Sequence, residues 1–334
     1  QYDVSSTPGD ETATLTITDN TNPSSKVVGA NEIIISNTAD GANTVFAADV
    51  NGDGNVDVLS ASFLNNTIAL YLNDGNNNFT EKLISTNAND PSSLFAADVD
   101  GDGDVDVLST SQSDDTIALY RNDGSYKFSK HIISTNAKTA VSVFAADVDG
   151  DGDVDVLSAS DLDDKIALYL NDGSNKFTEE PPISTDAKGA RSVFAADVDG
   201  DGDVDVLSAS RKDNKIALYV NDGSNKFTEE PISTDAKGAN SVFAVDVDGD
   251  GDVDVLSASE LDDKIALYVN DGSNKFTEEP PISTDAKGAF SVFAADVDGD
   301  GDVDVLSASG KDNKIAMYLN DGSNNFTEQT ISNN

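Results

Sequence analysis

The apolar positions of this chain fall in short alternating runs. One stretch reads S-V-F-A-A-D from Ser192 to Asp197, V-D-V-L-S-A-S from Val204 to Ser210, K-I-A-L-Y-V from Lys215 to Val220, and F-T-E-E-P-I-S from Phe227 to Ser233. Period-two alternation predicts four strands. No stretch keeps a 3.6-residue period, and Gly, Asn and Asp recur every few residues, so helix is disfavoured. Asn221-Asp222-Gly223 predicts a hairpin between the third and fourth strands, because these residues supply the positive φ angles of a tight turn. Pro231 suits an edge strand, where a missing N–H costs no ladder bond.

The unit occurs six times. Its first strand ends at Asp49, Asp98, Asp147, Asp197, Asp246 and Asp296, spaced by 49 or 50 residues. Some units read EEPPIST (Glu179 to Thr185) and others EEPIST (Glu229 to Thr234). The third and fifth share LDDK and the fourth and sixth share KDNK, which suggests duplication of a two-unit block. Four strands per repeat of roughly 40–50 residues is the pattern of a β-propeller blade.

The expected fold is therefore all-β, a β-propeller of four-stranded blades. Residues 41–334 supply six near-identical blades, and residues 1–40 are a degenerate relative of the unit. Tyr2-Asp3-Val4 resembles the second strand, Thr12 to Asn20 the third, and Asn31 to Ala42 the fourth strand and the link after it. A seven-bladed ring is favoured on this count. The alternative is six blades with an N-terminal arm. Phe194, Phe227 and their equivalents are expected in the core between blades. So is the set Tyr71, Tyr120, Tyr169, Tyr219, Tyr268 and Tyr318, for which a ring of ligand-stacking groups is the alternative.

Composition adds a second theme. The chain has 62 acidic and 20 basic residues and a formal net charge of −42. Such a surface repels nucleic acid and anionic lipid and attracts cations. No apolar run approaches the ~18 residues of a membrane span. Neither nucleic acid nor membrane insertion is expected. There is no cysteine, so a staple other than a disulfide is needed, and divalent metal is a candidate.

About half of the acids sit in the loop after the first strand, which reads D-x-[DN]-G-D-G-[DN]-x-D. The candidate metal residues are Asp49, Asn51, Asp53, Asn55 and Asp57 in the first loop and Asp98, Asp100, Asp102, Asp104 and Asp106 in the second. The third holds Asp147, Asp149, Asp151, Asp153 and Asp155, and the fourth Asp197, Asp199, Asp201, Asp203 and Asp205. The fifth holds Asp246, Asp248, Asp250, Asp252 and Asp254, and the sixth Asp296, Asp298, Asp300, Asp302 and Asp304. Calcium takes six to eight hard oxygens at about 2.3–2.6 Å. Oxygens at positions one, three, five, seven and nine can wrap one ion, with position seven giving its backbone carbonyl. The glycine at position six permits the sharp turn. At an effective dielectric of ~20, two carboxylates ~4 Å apart repel by ~4 kcal/mol, and a divalent ion converts that repulsion into ligation. Magnesium keeps its waters, and zinc prefers His and Cys. About six calcium ions are expected, one per loop. The first, with Asn51, should be the weakest site.

The stretches V-F-A-A-D-V-D-G-D-G-D-V-D-V-L-S-A-S and K-I-A-L-Y-L-N-D-G resemble FG-GAP/VCBS repeats. That family builds calcium-binding propellers such as the integrin α head and some fungal and bacterial lectins. The resemblance covers about residues 31–334. It implies structural ions between the first two strands of each blade. Leu168 and Leu218 stand where many bacterial relatives carry an aromatic residue, so an aromatic sugar platform does not carry over to them.

The expected function is a non-enzymatic binding or adhesion module, extracellular or on the cell surface, with a protein or glycan ligand. The alternative is a structural subunit of a surface layer or filament, a homo-polymer joined through the N-terminal strands. An accessory domain of a polysaccharide-active enzyme ranks below both. His131 is the only histidine and occurs in one unit, so no catalytic dyad is expected. Loop tips differ between units: Val141, Arg191, Asn240 and Phe290 in one link, and Asp161-Leu162, Arg211-Lys212, Glu260-Leu261 and Gly310-Lys311 before the third strand. That variation reads equally as recognition or as drift at exposed tips.

Overall fold

In the computed structural model, residues 2–5, 14–17 and 33–333 are described. The six repeats form six four-stranded antiparallel sheets, each with its strands side by side in chain order. In blade four these are Ala190–Ala196, Asp205–Ser210, Lys215–Asn221 and Phe227–Ser233. The ladder pairs Phe194 with Leu207, Leu207 with Leu218, and Leu218 with Glu230.

Period-two alternation sends each blade's side chains to both neighbours. Leu207, Ala209, Ile216 and Leu218 point toward blade five and meet Val242, Ala244, Val255 and Tyr268. Ala217 and Tyr219 point back to blade three and meet Leu157, Ala159, Ile166 and Leu168. The core is thus a series of seams between blades. The periodic tyrosines lie in these seams, with Tyr169, Tyr219, Tyr268 and Tyr318 each only 1% exposed, which rules out the stacking-ring alternative. Phe227 and its equivalents pack at the same seams. The first-strand phenylalanines form their own series: Phe46, Phe95, Phe144, Phe194, Phe243 and Phe293 touch in succession, with centroids 4.6–5.1 Å apart. Such tilted contacts suit the aromatic quadrupole.

Three sequence expectations need correction. The favoured seven-bladed ring is replaced by six four-stranded blades. The N-terminal strands Tyr2–Ser5 and Thr14–Ile17 pair only with each other, as a two-stranded sheet. Tyr2–Ser5 lies beside Ala42–Ala48 of blade one and Lys314–Asn320 of blade six. Residues 31 and 32 of the expected fourth strand lie outside the described residues, and 33–41 form no strand. Ile35 instead packs on the Val58 and Tyr71 side of blade one.

The second correction concerns the hairpin. Asn221 pairs with Phe227, so the expected hairpin forms, but around a five-residue loop instead of a tight turn. The Asp222 carboxylate accepts the Ser224 N–H at 3.0 Å and its hydroxyl at 2.6 Å. Third, the fourth strand is short in blades three and five, at Phe177–Glu179 and Phe276–Glu278. The proline pairs Pro181-Pro182 and Pro280-Pro281 remove the N–H donors that would extend the ladder.

Candidate functional site

The loop between the first two strands is curled by its own carboxylates. In the second loop, Asp98 accepts the N–H of Asp102 at 3.1 Å and of Gly103 at 3.0 Å. Asp102 in turn accepts the N–H of Asp104 at 3.0 Å. The chain can double back because Gly101 and Gly103 sit at φ 72° and 93°, a region costly to residues bearing a Cβ.

Position nine is different in kind. Asp205 is fully buried. It accepts the Val198 N–H at 3.1 Å on one oxygen and the Asn221 N–H at 2.8 Å on the other. The same pattern recurs at Asp57, Asp106, Asp155, Asp254 and Asp304. Burial pushes Asp106, Asp155, Asp205 and Asp254 up to about 6, against the pull of these N–H groups.

Three carboxylates converge in five of the loops. Asp98, Asp100 and Asp106 bring oxygens within 4.8 Å of one another, as do Asp147, Asp149 and Asp155, and Asp197, Asp199 and Asp205. In the fifth and sixth loops the groups are Asp246, Asp248 and Asp250, and Asp296, Asp298 and Asp300. Among the described residues the first loop, with Asn51 at position three, forms no such group. Asp147, Asp197 and Asp298 each keep one buried carboxylate oxygen without a hydrogen-bond partner. Clustered hard oxygens, some of them orphaned, fit a divalent cation. Position seven turns away: Asp104, Asp153, Asp203, Asp252 and Asp302 lie against the glycine of their own blade's hairpin, Gly124, Gly173, Gly223, Gly272 and Gly322.

Two features escaped the sequence. Arg121 stands where other blades have Leu or Val, and its guanidinium pairs with Asp100 of the second loop. The asparagine ending the third strand also links loops in blades three to six. Asn221 donates its amide to Val204 O at 3.2 Å and to Val148 O of the preceding blade at 3.3 Å. The N-D-G motif was visible, but its first residue read only as turn chemistry.

Away from the acidic loops, at the start of the first strands, a pocket of about 260 Å³ opens between blades four, five and six. It is lined by Arg191, Arg211, Asn240, Glu260, Gly288, Phe290, Gly310 and Lys311. Glu260 gathers Arg211 at 2.7 Å and the Asn240 amide at 3.4 Å. Lys311 donates to its backbone carbonyl at 3.0 Å. Arg191 pairs with Asp161 of blade three at 2.7 Å, which Lys212 also contacts at 2.7 Å. Leu162, Leu261 and Phe290 are exposed at this end. His131 is exposed on an outermost strand of blade two.

Comparison with known proteins accords with this architecture. A family model described as FG-GAP-like repeat matches residues 49–109, 98–158, 147–208, 197–257, 246–307 and 296–334. A search of the curated proteins finds no match. Among solved structures, a lectin of Agrocybe aegerita, described as recognising non-reducing terminal N-acetylglucosamine, is similar at TM-score 0.62 and 20% identity, over 87% of this chain and 80% of that one. The six-bladed, fucose-recognising lectin of Aleuria aurantia is similar at TM-score 0.51 and 14% identity, over 83% and 91%. A protein of unknown function from Desulfotomaculum acetoxidans is similar at TM-score 0.59 and 11% identity, over 82% and 78%. At these identities the likeness is one of fold. Among the described residues no helix is long and apolar enough to cross a membrane.

Proposed function

The chain belongs to the FG-GAP-like repeat family, and from that premise we propose that it is a non-enzymatic binding module of the cell exterior, held in shape by calcium, which takes a glycan on the face carrying its variable tips. The pocket carries this reading. All eight of its lining residues are positions where the repeats differ. Such tips vary in every blade, and what sets this pocket apart is the chemistry that its variants bring together. Here an exposed ring, three cations, an amide and a carboxylate meet in one concavity, the mix of apolar wall and convergent polar groups that recognition uses. The shared fold with two lectins supports a glycan over a protein ligand.

In each loop the side chains at positions one, three, five and nine and the carbonyl at position seven would hold calcium. In blade four these are Asp197, Asp199, Asp201 and Asp205, with Asp203 giving the carbonyl. The outward turn of the Asp203 side chain onto Gly223 supports that assignment. The ion would neutralise the crowded carboxylates and fix the link between the first two strands. Extracellular modules bind calcium at ~10⁻⁴–10⁻³ M, which suits a cysteine-free chain outside the cell.

A glycan array probed in calcium tests the reading, repeated with Phe290→Ala. We expect selective glycan capture that the variant loses while its melting temperature is unchanged. Capture of no glycan, or capture undiminished in the variant, sinks it.

A further inference from the structure

The charge of the pocket runs against that of the molecule. The chain has 62 acidic and 20 basic residues, yet Arg191, Arg211 and Lys311 line one concavity with Glu260 as its only carboxylate. Behind it Asp161 and Lys212 cancel each other. The lining therefore keeps an excess of two positive charges.

Those cations are not used up by their partners. The side chains of Arg191, Arg211 and Lys311 remain 28%, 37% and 53% exposed. Glu260 is shared between Arg211 and Lys311, with its carboxylate 3.9 Å from the lysine. Arg191 engages Asp161 through one terminal nitrogen, and its buried Nε has no hydrogen-bond partner. A guanidinium offers a planar fork of donors that matches a carboxylate or sulfate better than an ammonium does. Phe290 presents a ring that is 54% exposed, an apolar wall beside the charged one. Room of about 260 Å³ lies just below the ~300–1,000 Å³ of drug-sized ligand sites, so it suits one sugar residue.

We propose that this pocket binds the terminal residue of an acidic saccharide, its anionic group on Arg191 and Arg211 and its ring against Phe290. The proposal rests on the glycan-binding reading and adds the charge of the ligand to it. The anion is a carboxylate, as in a uronic or sialic acid, or a sulfate ester. Either meets the same donors.

Calorimetric titration of the calcium-loaded full chain tests it. The probes are glucuronic acid, sialic acid, glucose 6-sulfate, glucose, fucose, N-acetylglucosamine, and sodium acetate and sulfate as bare anions. We expect an acidic sugar to bind at least roughly tenfold more tightly than the neutral ones, with affinity falling as salt rises. Arg191→Gln and Arg211→Gln should each weaken that binding roughly tenfold. Phe290→Ala should weaken the sugars and leave the bare anions unchanged. Lys311→Gln, at the most exposed of the three cations, is a milder variant should an arginine change lower the melting temperature. Whichever acid binds identifies carboxylate or sulfate as the anion. Neutral sugars binding as tightly as acidic ones would overturn the proposal and leave the glycan reading intact. Binding of no sugar would overturn both. Acidic sugars unaffected by the arginine variants would overturn the location, and bare anions binding as well as sugars would overturn the saccharide.

Discussion

Asp205 and Asn221 tie the acidic loop of blade four to its third strand. The buried carboxylate takes the Asn221 N–H at 2.8 Å, and the Asn221 side chain reaches Val148 O of the preceding blade at 3.3 Å. The acidic loop is thereby tied to its own third strand and to the neighbouring loop. Position nine thus has structural work apart from any ion, while positions three and five mostly brace the loop itself.

That division predicts two different mutants. Asp205→Asn places an amide NH₂ against a backbone N–H and leaves a buried donor unsatisfied, at a cost of about 1–3 kcal/mol. The loss should be measurable by denaturant unfolding in EGTA. Asp201→Asn, on the exposed part of the loop, should change stability in EGTA by less than about 0.5 kcal/mol. Its loss should emerge only in calcium.

The seams predict a third. Tyr219 is 1% exposed and packs on Leu157, Ile166 and Leu168 of blade three. Tyr219→Ala opens a cavity there and should cost about 3–5 kcal/mol, the range for large aromatic truncations. Thermal unfolding checks this, and glycan binding on the distant pocket should survive in the folded fraction.

Arg121 predicts an asymmetry among the loops. Its guanidinium already neutralises part of Asp100, so it competes with a cation for the second loop. Arg121→Leu restores the residue type of the other blades and should raise the affinity of that one site. A calcium titration should show one weak site fewer in the variant.

The buried aspartates predict a pH dependence in the metal-free protein. The folded pKa of Asp106, Asp155, Asp205 and Asp254 is about 6, above the ordinary 3.8. Between those values the folded chain holds more protons than the unfolded one, so stability falls as pH rises. The contribution is complete below about 3.8 and lost through about 6. In EGTA the melting temperature should therefore be higher at pH 5 than at pH 7.

Much of this was legible in the sequence because the information is local. Period-two runs specify the strands, as Phe227–Ser233 shows. The loop glycines and aspartates recur in register, and the tyrosines recur where packing demands them. What was not legible is what depends on distance. Residues 1–40 imitate the unit in composition and so suggest a seventh blade, whereas among their described residues only Tyr2–Ser5 and Thr14–Ile17 pair. The tips that differ between repeats were visible one by one, but Arg211 and Glu260 meet across blades. No local pattern announces that contact. Arg121, on the third strand, was hidden for the same reason, as its partner Asp100 lies 21 residues earlier in the loop between the first two strands.

The central claim is that calcium in the acidic loops holds the ring together. Thermal unfolding with millimolar calcium and again in excess EGTA tests it most directly. In millimolar calcium, an ion bound only to the folded chain with a Kd of about 10⁻⁴ M stabilises by about 1.4 kcal/mol per site, so several sites together should lower the melting temperature on chelation by about 10 °C. A melting temperature that is the same in calcium and in EGTA would contradict the account.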